Sequence, residues 1–197
     1  MHVVGVKHNG MPLRIKYIPY FYPMQFYIET ERLIMRDLLA TDDVAMFAMD
    51  SDAEVHKYVG GKPNVAIEQT RENIAAIREQ YISNGIGRWA VIEKSSGDFI
   101  GWAGLKLMTW TINGHINYYD LGYRFMKKHW GKGYATEAAL AAVAYGWDVL
   151  KAPAMYGMAN VDNMASRNVL EKCGMQFVNT FDYEDIIHAW YRLDPKF

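Results

Sequence analysis

The sequence has few of the residues that would tie it to a metal, a membrane or an oxidising compartment. Cys173 is the single cysteine, which excludes an internal disulfide and a cysteine-cluster metal site and points to a reducing compartment. His56 and His188 fall in no metal-ligand spacing, so no metal is expected. No apolar run approaches the roughly 18 residues that a membrane span requires. Lys7, His8, Asn9, Arg14 and Lys16 interrupt the apolar residues at the N-terminus, and no small-residue cleavage site follows, which argues against a signal peptide. A cytoplasmic location follows, without a membrane partner. An excess of charge is also missing: 21 Lys and Arg face 22 Asp and Glu. Nothing draws the whole chain to nucleic acid, so any anion site must be local.

Of 197 residues, 51% are hydrophobic, enough for a sizeable core without staples and consistent with one domain. Residues 1–25 read as a peripheral N-terminal extension, because prolines, glycines and aromatics break its periodicity. Residues 26–197 read as a single domain, expected as a monomer or homodimer. A strand is predicted at Glu31 to Asp37, followed by a helix capped at Thr41 that runs to about Met49. Ser51 or Asp52 is placed to cap a further short turn. Ile67, Thr70, Ile74, Ile77 and Tyr81 fall on one helical stripe that Asn84-Gly85 ends. A hairpin (88–94 and 99–110) and a strand over 116–126 lead to an alanine-rich helix over about 135–150. A short strand at 154–159, a helix over 163–172 and two final strands complete a mixed α/β order.

The most informative segment lies between the 116–126 strand and the alanine-rich helix. It reads Lys128-His129-Trp130-Gly131-Lys132-Gly133-Tyr134-Ala135-Thr136-Glu137-Ala138. A helix start exposes unpaired N–H groups and the positive end of the macrodipole. Gly131 and Gly133 admit backbone angles closed to other residues, and Lys128 and Lys132 add local positive charge. Together they form a cradle for a diphosphate, although a tight strand-to-helix turn would use the same residues. A P-loop needs Ser or Thr where Gly133 stands, and the dinucleotide fingerprint needs a third glycine where Thr136 stands.

Leu121-Gly122-Tyr123, Trp130 to Ala138, Asn163-x-x-Ser166 and Leu170 to Met175 resemble the GNAT superfamily of N-acetyltransferases, and within it the branch of ribosomal-protein alanine and serine acetyltransferases. Glu29 to Leu33 and the hairpin Trp89 to Ile92 with Phe99 to Gly101 extend the likeness, which spans about Phe26 to Leu193. The resemblance implies an α+β fold: a mixed, mostly antiparallel twisted sheet of about seven strands, the fourth and fifth splayed, with about four helices. It implies acetyl-CoA as co-substrate. Phe125, Met126 and Lys127 would line the pantetheine arm, Gly131, Lys132, Gly133, Tyr134, Ala135 and Thr136 would hold the diphosphate, and Asn163 would bond near the arm. Lys128 departs from the family's Arg or Gln.

The same resemblance implies direct attack by a primary amine, at a protein N-terminus or on a small molecule, with no enzyme nucleophile. Leu170 stands where many members carry an acidic tyrosine. The branch assigns that role to the position of Ser166, whose hydroxyl would equally suit a helix first turn. For the base, Asp120 is the first candidate, with Asp185 or its neighbour Glu184 next and His115 third. A domain that binds acyl-CoA without turnover is the alternative, and a nucleotide-dependent enzyme the third reading.

Overall fold

Ten segments among the described residues form strands, and these join edge to edge. The computed structural model describes residues 2–8, 11–17, 26–60 and 62–195, with side chains from residue 28. Residues 18–25 of the expected extension lie outside the described residues. The strands are β1 (His2–His8), β2 (Met11–Tyr17), β3 (Phe26–Glu29), β4 (Leu33–Asp37), β5 (Trp89–Glu93), β6 (Phe99–Met108), β7 (Tyr118–Phe125), β8 (Met155–Asn160), β9 (Gln176–Tyr183) and β10 (Ile186–Leu193). They form one sheet in the order β1-β2-β3-β4-β5-β6-β7-β8-β10-β9. Every neighbouring pair is antiparallel except β7 and β8, which run parallel.

The mixed, mostly antiparallel architecture agrees with expectation, and the seven expected strands are all present. Three more join them. β1 and β2 form a hairpin at the sheet edge. β3 is separated from β4 by a tight turn in which the Thr30 N–H donates to the Leu33 carbonyl at 3.0 Å.

Among the described residues five helices cover the sheet: α1 (Asp43–Asp50), α2 (Ala53–His56), α3 (Ile67–Ser83), α4 (Tyr134–Asp148) and α5 (Met164–Lys172). α1 begins later than expected because Asp42, not Thr41, organises its entry. The Asp42 carboxylate accepts the Leu39 N–H at 2.8 Å and both forks of Arg36 at 2.7 Å, holding residues 40–42 in a 3-10 turn. Asp52 caps α2 by accepting the Glu54 N–H at 2.9 Å. In α3 the predicted stripe faces inward at Thr70 and Ile74.

α4 and α5 pack on one face of the sheet, and α1 to α3 on the other. Six alanines or other small residues let α4 lie close on the strands: Ala138, Ala139, Ala141, Ala142 and Ala144 are buried, and Gly146 touches Leu105 and Met155. That close seat fixes the N-terminus of α4 beside the C-terminal end of β7. No helix among the described residues is long and apolar enough to cross a membrane.

Candidate active site

β7 and β8 pair only at Tyr119 with Met155 and Asp120 with Tyr156. Beyond those two steps they part, and β8 continues on β10 alone. The parting leaves one edge of β7 unpaired. The Met126 N–H donates to Ile100 at 3.0 Å on the β6 side, whereas the Leu121 carbonyl faces Gly157 of β8. Backbone polar groups alternate sides along a strand, so the N–H groups of Tyr123 and Phe125 look into the opening. Leu170, 1% exposed, packs against Gly157 where the strands diverge.

At the C-terminal end of β7 the chain turns through residues 127–129 and enters α4 by way of Gly131 and Gly133, at φ 73° and 80°. Both angles lie in the left-handed region that glycine alone visits without strain. Gly133 occupies the cap position, and no side chain caps the helix. The Gly133 carbonyl takes the Glu137 N–H at 3.0 Å, while the amides of residues 131–136 have no acceptor among the described residues. A Cβ at Gly131 would meet nothing within 4 Å, so the cradle is open to a ligand. These amides, the helix dipole and the exposed Lys128 and Lys132 suit a diphosphate.

The cradle is held by contacts that the sequence did not announce. Glu137, 6% exposed, accepts the Thr30 hydroxyl at 2.5 Å, the Arg32 N–H at 2.9 Å and Arg32 Nε at 2.6 Å. Arg32 Nη1 donates to the Lys132 carbonyl at 2.9 Å, and its guanidinium lies 4.5 Å from the Tyr134 ring centre. The Tyr134 hydroxyl donates to Glu93. Trp130 Nε1 ties the loop back to the Phe125 carbonyl at 2.7 Å. Behind the loop, His129 is buried and burial holds its imidazole below the usual range, so no cation there supplements the lysines.

A family model described as an acetyltransferase (GNAT) domain matches residues 32–176. The chain belongs to this family. The GNAT assignment makes it an acyl-CoA-dependent acetyltransferase, and relatives agree. It is similar to the uncharacterized N-acetyltransferase YoaA of Bacillus subtilis, 30% identical over 149 residues, covering 76% of this chain and 82% of that protein. Among solved structures, a GNAT-family acetyltransferase from Bacillus anthracis is 25% identical with a TM-score of 0.71, covering 85% of this chain and 98% of that one. The fold also matches a ribosomal L7/L12 α-N-protein acetyltransferase, at a TM-score of 0.74 and 14% identity over 91% of this chain and 100% of that one.

Across the opening of this GNAT sheet stands α5. Asn163 caps it by accepting the Ser166 N–H at 3.0 Å. Ser166 meets Tyr123 of β7: the tyrosine hydroxyl donates to the Ser166 carbonyl at 2.7 Å and lies 3.1 Å from Ser166 Oγ. Burial pushes the Tyr123 hydroxyl well above the ordinary phenol range. Cys173 is buried, its thiol pushed up to about 12, an inert environment for sulfur.

The base candidates stand in three different places. Asp120, 8% exposed, shares its carboxylate with Arg88, whose guanidinium also reaches the Asp120 and Gly104 carbonyls. A Cβ at Gly122 would stand 2.6 Å from Arg88 Nη2, so the glycine of the Leu-Gly-Tyr motif makes room for this arginine. Burial raises the Asp120 carboxyl above its usual value, with Arg88 opposing, and burial likewise lowers Arg88. Asp185 and Glu184 are exposed at the β9–β10 turn, at φ 61° and 55°. That turn stands beyond the C-terminal end of β8, on the side where the strands part. His115 sits at the closed end, stacked 5.7 Å from Trp190 and 4.8 Å from Tyr156, beside a cavity of about 260 Å³. No group of three His, Cys, Asp or Glu among the described residues is placed to hold a metal.

Proposed function

We propose that this GNAT protein transfers the acetyl group of acetyl-CoA to a primary amine by direct attack in a ternary complex. The observation that carries the reading is the parting of β7 from β8 beside a helix start opened by Gly131 and Gly133. Gly131, Lys132, Gly133, Tyr134, Ala135 and Thr136 would hold the diphosphate. Phe125, Met126 and Lys127, together with Asn163, would border the arm. The thioester then rests beside the Tyr123 and Phe125 amides, which supply donors for the oxyanion that forms on attack.

An alkyl amine reaches neutral solution as ammonium and must lose a proton before it attacks. Asp120 is assigned as the base. Its raised carboxyl pKa brings it nearer to neutrality, where a base works best. Three residue steps along the strand separate it from Tyr123, roughly 10 Å at 3.3 Å each, so the proton travels through water. Asp185, exposed at the rim, draws in the cationic amine. Ser166, held by Tyr123, returns a proton to the departing thiolate. The acceptor is the N-terminus of a protein or a small amine. The alternative is an acyl-CoA sensor without turnover, and the apolar Leu170 in the usual place of an acidic tyrosine favours it.

Two measurements test this reading. Thermal shifts are compared for CoA, acetyl-CoA, ATP and NAD, and free thiol is followed with acetyl-CoA and an amine panel that includes alanine- and serine-starting peptides. Ligand at a hundred times its Kd stabilises by about 2.7 kcal/mol. A shift with CoA and acetyl-CoA alone, together with thiol release, is the expected result. A shift without thiol release across the panel selects the sensor, and a shift with ATP or NAD alone rejects both.

A further inference from the structure

On the sheet face turned away from α4 and α5, one guanidinium is only partly used. β7 alternates, so Tyr123 reaches α5 while Arg124 points to the side of α1. Arg124 Nη1 donates to Asp50 Oδ1 at 3.1 Å, and the guanidinium lies 5.3 Å from the ring centre of Trp102, its register partner on β6. Its Nε and Nη2 have no acceptor among the described residues, and the side chain is 22% exposed. Asp50, 1% exposed at the end of α1, has an Oδ2 without a partner. His56 of α2, 3.9 Å from Asp50, has neither ring nitrogen partnered. Burial of polar groups without partners is costly, and this cluster concentrates several such groups one residue from the amides that face the opening.

We propose that Arg124 selects acceptors carrying a carboxylate near the reacting amine, that is, small amino-acid-like molecules, over polyamines and uncharged amines. This deepens, and rests on, the proposed acetyl transfer to a primary amine with Asp120, on this same face, as its base. The free Nε and Nη2 form the side-on edge of the guanidinium, which matches the two oxygens of a carboxylate. Asp50 and the Trp102 ring fix the plane of that edge, so little side-chain freedom is lost on binding. The charges on this face point the same way. Arg88 holds Asp120, Arg124 holds Asp50 by one oxygen, Glu54 and Lys127 pair with each other at 3.5 Å, and burial favours the neutral form of His56. A polycation would find Asp50 and Asp120 already engaged by arginines, whereas a carboxylate would meet the free edge of Arg124.

The test uses the full chain and matched sets of three amines: an amino acid, its carboxamide and its decarboxylated amine, with spermidine added. Thiol release gives kcat/KM for each at saturating acetyl-CoA. The carboxamide has the less basic amine, so basicity alone favours it, and a preference for the carboxylate cannot arise from that source. The expected result is a carboxylate-to-carboxamide ratio of about ten or more, tenfold being 1.4 kcal/mol. The ratio falls toward one in Arg124→Gln and is only partly restored in Arg124→Lys, which keeps the charge without the fork. Equal or better use of carboxamides or spermidine by the unaltered protein overturns the proposal, as does a ratio unchanged in Arg124→Gln. Should Arg124→Gln not fold, inhibition settles the matter: the amino acid's deaminated carboxylate must compete with the amine at least about tenfold more strongly than its amide. Thiol release with uncharged amines alone rejects the role of Arg124 and leaves acetyl transfer standing. No thiol release with any amine, and no thermal shift with acetyl-CoA, rejects acetyl transfer itself.

Discussion

The two sides of the parted strands solve their chemical problems with different parts of the chain. On the α4 side the groups offered to a ligand are main-chain amides, aimed by two left-handed glycines within six residues of sequence. On the α1 side they are charged side chains paired across long separations: Arg88 with Asp120 is 32 residues apart, and Arg124 with Asp50 is 74. A backbone cradle tolerates changes of side chain and depends on conformation. A side-chain face depends on particular pairs, and can change its acceptor while the cradle stays the same. On the proposed reading, the donor site and the acceptor site thus rest on separable chemical foundations.

The strongest way to break that contrast is Gly133→Asp. The substitution forces a branched side chain into the left-handed region at φ 80°, brings its Cβ to 3.4 Å from Arg32 Nη2, and sets a negative charge against the diphosphate. Affinity for CoA should fall by about a thousandfold, or 4 kcal/mol, with the thermal shift abolished at ligand concentrations that stabilise the unaltered protein. The unliganded protein should keep its circular dichroism. Normal CoA binding by this variant would show that the cradle assignment is wrong.

On the other side, Asp120→Asn tests whether the buried pair carries the proton transfer. The variant keeps the shape of Asp120 and removes its ability to accept a proton, so kcat/KM should fall about a hundredfold while CoA binding holds. The pH profile sharpens the result. Below its folded pKa Asp120 is protonated and cannot serve as a base, so activity rises with pH through that value. Burial places it above the ordinary carboxylate range. That limb should vanish in Asp120→Asn. A retained limb would assign it to the amine substrate or to Asp185. Arg88 also loses its charged partner while staying buried, so stability should drop by about 3 kcal/mol.

The glycine turn into α4 is legible in the sequence because its determinants are local: a strand, two glycines and a run of alanines in consecutive order. Its brace was not, since Arg32 and Glu137 are 105 residues apart and each alone reads as an ordinary surface charge. Glu29 to Leu33 entered as part of a resemblance, and the structure supplies its physical content, a turn whose Thr30 and Arg32 hold the carboxylate of α4. Asp120 was singled out by position, yet nothing near it in sequence announces Arg88, which reaches it through the space above Gly122. The pair of Arg124 and Asp50, 74 residues apart, is hidden in the sequence in the same way. β3 escaped notice because its four residues run into the β4 pattern, divided by a turn with neither glycine nor proline. Periodicity reports elements and their faces. It does not report which charges meet when the faces come together.

The smallest expected effect lies between the two sides, at Tyr123→Phe. Tyr123 belongs to the strand that both sites share, and its hydroxyl holds the Ser166 carbonyl at 2.7 Å and approaches Ser166 Oγ at 3.1 Å. Removing it frees the serine hydroxyl to rotate and should cost about 1 kcal/mol of stability. The departing thiolate is a good leaving group with a conjugate acid near 8.5, so its protonation is seldom the slowest step. A three- to tenfold fall in kcat is therefore expected, roughly 1 kcal/mol of barrier. Ser166→Ala should fall by a similar factor, and the double variant by little more, since both remove one relay. If Tyr123→Phe instead loses activity as completely as Gly133→Asp loses CoA, the tyrosine itself is the acid. The serine is then its support, and the buried face of α5 contributes chemistry that the backbone cradle alone does not supply.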